Sequence, residues 1–224
     1  MATGLFDGLF FDWWFDDQPD RRRLLEAIRD RLPAETLVMV NGNDRTLPNT
    51  ADLVNGSFME CWQSPDWGNW SQIEETLVWN ETNLRKPRIN AVSTWYAKSR
   101  NELNRMRATT TLVMTRSNGY ALFCDPNDLP TPDHQHDWYT FWDEDLGQPI
   151  GPGRDYNDGT VRRAFTHGWA VYHRPSNADP EAMSKRALVR FDLPHRSSAT
   201  GRIDTEHALP AADGDLYLIQ HAAE

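Results

Sequence analysis

Residues Asp7-Gly8-Leu9-Phe10-Phe11-Asp12-Trp13-Trp14 read as a short buried strand that ends in a carboxylate and two indoles. A near copy follows 48 positions on, Asn55-Gly56-Ser57-Phe58-Met59-Glu60-Cys61-Trp62. Both obey one pattern: Asp or Asn, Gly, any residue, Phe, a large apolar residue, an acid, any residue, Trp. A bulky run that stops at an acid and aromatics suits a strand whose C-terminal end opens into a site. Two such strands present Asp12 and Glu60 at matching heights, the arrangement a paired-carboxylate reaction needs.

The chain on either side of these strands repeats a strand–helix rhythm. Residues 5–12 form the first strand. Pro19-Asp20 starts a helix, with Asp20 as its expected cap; Leu24, Leu25, Ile28 and Leu32 recur at helical spacing up to Pro33. The apolar run 36–41 predicts a parallel strand covered on both faces. A strand at 53–60 follows, then a helix with Trp70, Ile73, Leu77 and Leu84 on one side. Next come a strand at 88–94 and a helix opened by a Ser99/Glu102 capping box, with Leu103, Met106, Thr110 and Val113 inward. A last strand covers Tyr120 to Cys124.

Strand ends therefore fall at Asp12, Asn41, Glu60, Thr94 and Asp125. Most of the intervals suit a strand–helix–strand unit, whereas the step from Asn41 to Glu60 leaves room only for a reduced crossover. Acids and aromatics at the C-terminal ends of such strands predict an α/β fold, a partial (β/α)8 TIM barrel of about its last five strands. A small antiparallel β domain follows. The expected domains are residues 1–145, the C-terminal part of the barrel, and 146–224, the β-rich part. Five strands do not close a barrel, so a missing N-terminal barrel half is expected as a partner; an open α/β sheet is the alternative. In the β-rich part, Val161–Phe165 and Trp169–His173 flank Thr166-His167-Gly168 as a hairpin. Leu188–Leu193 and Leu216–Ile219 read as further strands, the second after an Asp213-Gly214-Asp215 turn.

Composition narrows the function. The 224 residues carry a formal net charge of −10, which argues against nucleic acid as a partner. No run of 18 apolar residues exists, so no membrane partner is expected. The N-terminus shows no basic region followed by an apolar stretch, so no signal peptide is visible; localisation stays unknown. Cys61 and Cys124 are expected to be buried free thiols. His134-Gln135-His136-Asp137 lacks a second ligand group at zinc-type spacing, so neither a metal nor any other cofactor is expected.

Glycoside hydrolysis is a reaction that needs such a pair of acids. One carboxylic acid protonates the leaving oxygen while a second carboxylate attacks the anomeric carbon or activates water. Asp12 and Glu60 are the candidate catalytic pair. Trp13, Trp14, Trp62 and Trp95 lie within a few residues of strand ends, where indole faces stack on sugar rings. Asn41 and Asn43, at the intervening strand end, offer hydrogen bonds to sugar hydroxyls, and Asp125 is a further polar candidate. Structural readings compete throughout: an acid in a solvated loop, an indole packed beneath the rim, an asparagine in a turn.

Asp7–Asp12, Asn41-Gly42-Asn43 and Asn55–Glu60 resemble the later strands of TIM-barrel glycoside hydrolases of a hypothetical glycosyl hydrolase group, loosely α-galactosaminidase-like. Asp145–Gly151, Val161–Phe165, Gly168–Val171, Leu209-Pro210 and Asp213–Ile219 resemble the β-rich C-terminal part of the same proteins. The resemblance implies a barrel with an acid on each of two strands, here Asp12 and Glu60, and a carbohydrate substrate. Two other expectations stand beside it: a non-catalytic carbohydrate-binding protein, and a barrel fragment without activity of its own.

Overall fold

A computed structural model describes residues 6–62, 69–95, 102–125, 135–136, 138–175 and 185–220. Five parallel strands stand in sequence order: β1 (Gly8–Phe11), β2 (Leu37–Asn41), β3 (Gly56–Trp62), β4 (Ala91–Trp95) and β5 (Tyr120–Asp125). A two-residue antiparallel strand, β6 (Gln135–His136), pairs with β5. Among the described residues the α-helices are α1 (Pro19–Arg29), α2 (Trp70–Asn83) and α3 (Leu103–Arg116), and Thr140–Asp143 form a short 3-10 turn. A second, wholly antiparallel sheet runs β11-β10-β12-β9-β8-β7. Its strands are β7 (Arg154–Asp155), β8 (Thr160–Phe165), β9 (Gly168–His173), β10 (Arg186–Ser197), β11 (Ile203–Pro210) and β12 (Asp213–Ile219).

The expected partial TIM barrel is not what forms. Among the described residues β1 pairs only with β2, and β5 gives way to the antiparallel β6, so the parallel sheet is open and has two edges. The strand–helix rhythm that suggested a barrel is common to barrels and open sheets. What separates them is the pairing between the first and last strands, which leaves no periodic trace in sequence. The chain departs from the barrel pattern after β5, where it builds the second sheet against α3.

The mutual packing of these layers has local causes. Gly8 and Gly56, the second residues of the duplicated pattern, admit close neighbours at the start of their strands. A Cβ would lie 2.5 Å from the Leu37 carbonyl oxygen at Gly8 and 1.7 Å from that of Ile89 at Gly56. Between β2 and β3 no helix forms. The Arg29 guanidinium donates to the carbonyls of Thr36 at 2.6 Å and Leu53 at 2.8 Å, and to Asn55 Oδ1 at 2.8 Å. One side chain of α1 thus ties the start of β2 to the end of the short crossover. Asn55 Oδ1 also accepts the Val38 backbone N–H, and Asn90 Oδ1 accepts that of Ser57 one strand further on. Gln18, not Asp20, is the α1 N-cap and makes no side-chain cap bond; Pro19 opens the helix. The Ser99 half of the expected capping box lies outside the described residues.

One apolar cluster joins the layers: Met59, Cys61 and Val92 of the parallel sheet, Trp70, Ile73 and Leu77 of α2, Ala108, Leu112 and Val113 of α3, and Val161, Tyr172 and Ala212 of the second-sheet region. Each large side chain buried here contributes about 1.5–3 kcal/mol. Polar contacts lock α3 to the second sheet. Arg107 makes a two-pronged ion pair with Asp213, at 2.9 and 2.7 Å. Arg163 donates to the carbonyls of Met114 and Ser117, satisfying the C-terminal end of α3. Asp213, Gly214 and Asp215 are the buried start of β12 rather than the expected turn; a Cβ on Gly214 would lie 1.9 Å from Thr111 Oγ1 of α3. Gly168 likewise opens β9 against the Tyr217 carbonyl oxygen, 2.0 Å from where a Cβ would stand, and Thr166-His167 make the hairpin turn. No helix among the described residues is long and apolar enough to cross a membrane.

Candidate active site

Side-chain alternation along the parallel strands divides two faces. Val38, Val40, Met59, Cys61 and Val92 point to the helices. Met39, Asn41, Phe58 and Glu60 occupy the opposite face, where Phe10 and Phe58 meet edge-on at 5.7 Å. Because β1, β2 and β3 are adjacent in that order, Asp12, Asn41 and Glu60 emerge from neighbouring strands at one end of the sheet.

Their side chains are joined. Asn41 Nδ2 donates to Asp12 Oδ1 at 2.9 Å and to Glu60 Oε2 at 2.7 Å. Asp12 Oδ1 also accepts the Trp13 backbone N–H at 2.9 Å. Asn41 is buried beneath the two acids, and its carbonyl oxygen accepts the Asn43 N–H at 3.2 Å. The amide thus spends both protons on carboxylates and its oxygen on a turn. Its hydrogen bonds run to the two acids, where the sequence suggested a direct bond to sugar. Asn43 itself is exposed, with a positive φ of 51° that belongs to the turn.

The other candidates divide between surface and core. Trp13 is 74% exposed beside Asp12, its backbone at φ 52° and its carbonyl held by Arg21. Trp14 turns the other way and is buried with Leu25, Val38 and Val40, under the Arg21 guanidinium. That indole has a packing role and presents no face to a ligand. Trp62, Trp95 and Asp125 end β3, β4 and β5 at the same end of the sheet, and Trp62 and Trp95 are register partners. Their side chains lie outside the described residues. Ser93, the register partner of Glu60, is a buried polar neighbour that the sequence reading passed over. Only its place two residues before the strand-end Trp95 could have signalled it.

Cys61, next to Glu60, is a buried free thiol pushed up in pKa by its burial. It points to the helix side, away from the acids. Cys124 has its side chain outside the described residues, as have His134 and Asp137 in full. Among the described residues no cluster of three or more His, Cys, Asp or Glu forms a metal site.

A second charged cluster lies in the helix layer. Glu74 accepts from Arg116 at 2.7 and 2.9 Å and from Arg174 at 2.6 and 2.8 Å. Asp155 bonds both arginines as well. These groups line a cavity of about 410 Å³ together with Trp70 and Tyr172, whose rings stack at 6.4 Å. The hydrogen bond from Arg116, reinforced by Arg174, holds the Asp155 carboxyl down to about 2. Acids and guanidiniums here neutralise each other and tie α2 and α3 to the second sheet.

The family model described as hypothetical glycosyl hydrolase family 15 matches residues 18–169. Asn41 and Glu60 lie inside that segment; Asp12 precedes it. No curated protein matches the chain. The matched segment runs from the residue before α1 into β9 and spans well over half of the sequence: the chain belongs to hypothetical glycosyl hydrolase family 15.

Proposed function

We propose that the protein hydrolyses glycosidic bonds of an oligo- or polysaccharide, with Asp12 and Glu60 as the paired carboxylates. The observation that supports this reading best is the single buried amide, Asn41, bonded to both acids. One amide that holds two carboxylates side by side suits a paired-carboxylate reaction, and membership of a hypothetical glycosyl hydrolase family supports the reaction class. Glu60 is the proton donor to the leaving oxygen. Asp12, at the more exposed strand end, is the nucleophile or base; its Oδ1 is fixed by two N–H donors, which leaves Oδ2 to face the substrate. The exposed Trp13 indole beside Asp12 is the platform for a sugar ring.

The test is turnover of a panel of 4-nitrophenyl α- and β-glycosides, including N-acetylgalactosaminides because of the α-galactosaminidase-like resemblance, followed by soluble polysaccharides. Glu60→Gln is expected to lower kcat by about 10²–10⁴-fold while the circular dichroism spectrum stays unchanged. Full activity of that variant would overturn the assignment. Binding of a glycan without any product release would turn the reading to a carbohydrate-binding protein.

A further inference from the structure

The hydrogen bonds of Asn41 also draw the facing oxygens of the two acids together, and the spacing of the two carboxyl groups governs stereochemistry. Asp12 Oδ1 and Glu60 Oε2 are both bonded to one nitrogen, at 2.9 and 2.7 Å. Two atoms bonded to a common third cannot be farther apart than the two bonds laid end to end, about 5.6 Å, and the angle between two amide protons brings them to about 5 Å. Glycosidases that retain anomeric configuration hold their carboxyl groups roughly 5–5.5 Å apart, whereas inverting enzymes leave roughly 6.5–9.5 Å for a water molecule. We infer that the proposed hydrolysis proceeds with retention, through a glycosyl ester on Asp12, and that Asn41 is the positioning residue that sets the required spacing.

The inference rests on the assignment of Asp12 and Glu60 as the catalytic pair. In the first step Asp12 Oδ2 forms a bond to the anomeric carbon while the glycosidic C–O bond breaks. The Glu60 carboxylic acid gives its proton to the departing oxygen. In the second step the Glu60 carboxylate takes a proton from water, the water oxygen bonds to the anomeric carbon, and the ester C–O bond breaks. Asp12 is released as carboxylate and Glu60 is again protonated, so the cycle consumes one water and needs no other reactant. Asn41 stays below both acids throughout. It is buried at the end of β2, where the Trp14 N–H bonds its backbone oxygen and fixes its height. A side chain held in this way keeps the two carboxylates at one separation while their roles alternate.

Proton NMR of the first anomer released from a hydrolysed 4-nitrophenyl glycoside tests the inference. The same configuration as the substrate supports it. The opposite configuration overturns it and leaves the hydrolase reading standing; absence of turnover across the glycoside and polysaccharide panel overturns both. Asp12→Ala supplies a second test at an exposed position. Azide should restore its turnover and yield a glycosyl azide of configuration opposite to the substrate. Rescue of Glu60→Ala to that product, in place of Asp12→Ala, would overturn the identity of the nucleophile. Asn41→Ala should lower kcat by about a hundredfold with KM changed less than about threefold; an unchanged kcat would overturn the positioning role.

Discussion

Two pairs of acids in this molecule are held in opposite ways. Asp12 and Glu60, at the end of the parallel sheet, share one neutral amide. Glu74 and Asp155, between the helices and the second sheet, share two guanidiniums. The amide's hydrogen bond orients a carboxylate without itself cancelling the charge. Two arginines satisfy the charge and the oxygens together, and the acids become cross-links. The number of acids therefore says little about function, and the chemistry of what holds them says a good deal.

Removing one of the cross-linking acids should produce the largest stability change. Glu74→Ala leaves Arg116 and Arg174 partly buried with only Asp155 to share, and should cost about 3 kcal/mol. That corresponds to roughly 6–12 °C in Tm, readable by calorimetry. The kcat of the folded fraction should not move; if it falls along with Tm, the separation between structural and reactive acids is wrong. A smaller effect is expected on the other side. Trp13→Ala should raise KM by about three- to tenfold, the worth of one stacked aromatic, and leave Tm within a degree or so. A large loss of Tm would place Trp13 in packing, like Trp14.

The smallest effect concerns pH. The folded-state pKa of Asp155 lies near 2, below its ordinary value of 3.8, so its stabilisation is complete above about pH 4 and is lost as the pH falls toward 2. Its side chain is more than half exposed, and solvent screening holds the contribution to no more than about 1 kcal/mol. Asp155→Asn should flatten that part of the stability profile in acid denaturation, and an unchanged profile would remove Asp155 from the cross-link.

Much of the parallel sheet was legible because its determinants are local. The apolar run ending at Asn41, the helical spacing of Trp70, Ile73 and Leu77, and the missing helix between β2 and β3 all survive in the structure. The duplicated pattern had a double meaning. Its acids mark the candidate site, but its glycines serve the backbone, since each admits a neighbouring carbonyl where a Cβ would collide. Strand β11 was missed because its exposed and charged residues hide the alternation. Asp213-Gly214-Asp215 looked like a turn because such residues make turns in isolation; here Arg107 and the serines at 197 and 198 satisfy the acids within a buried strand. Asp215 accordingly pays for its burial with a raised pKa.

From residues alone came the succession of strands and helices, the pairing of Asp12 with Glu60 through a repeated motif, and the presence of an asparagine between them. Local preference and periodicity carry such information, because they act over a few residues. Whether the parallel strands close on themselves, which indole faces outward, and what holds each acid were decided in three dimensions. Those outcomes depend on contacts between residues far apart in the chain: β5 against β6, α3 against β12, and one amide between two strand ends.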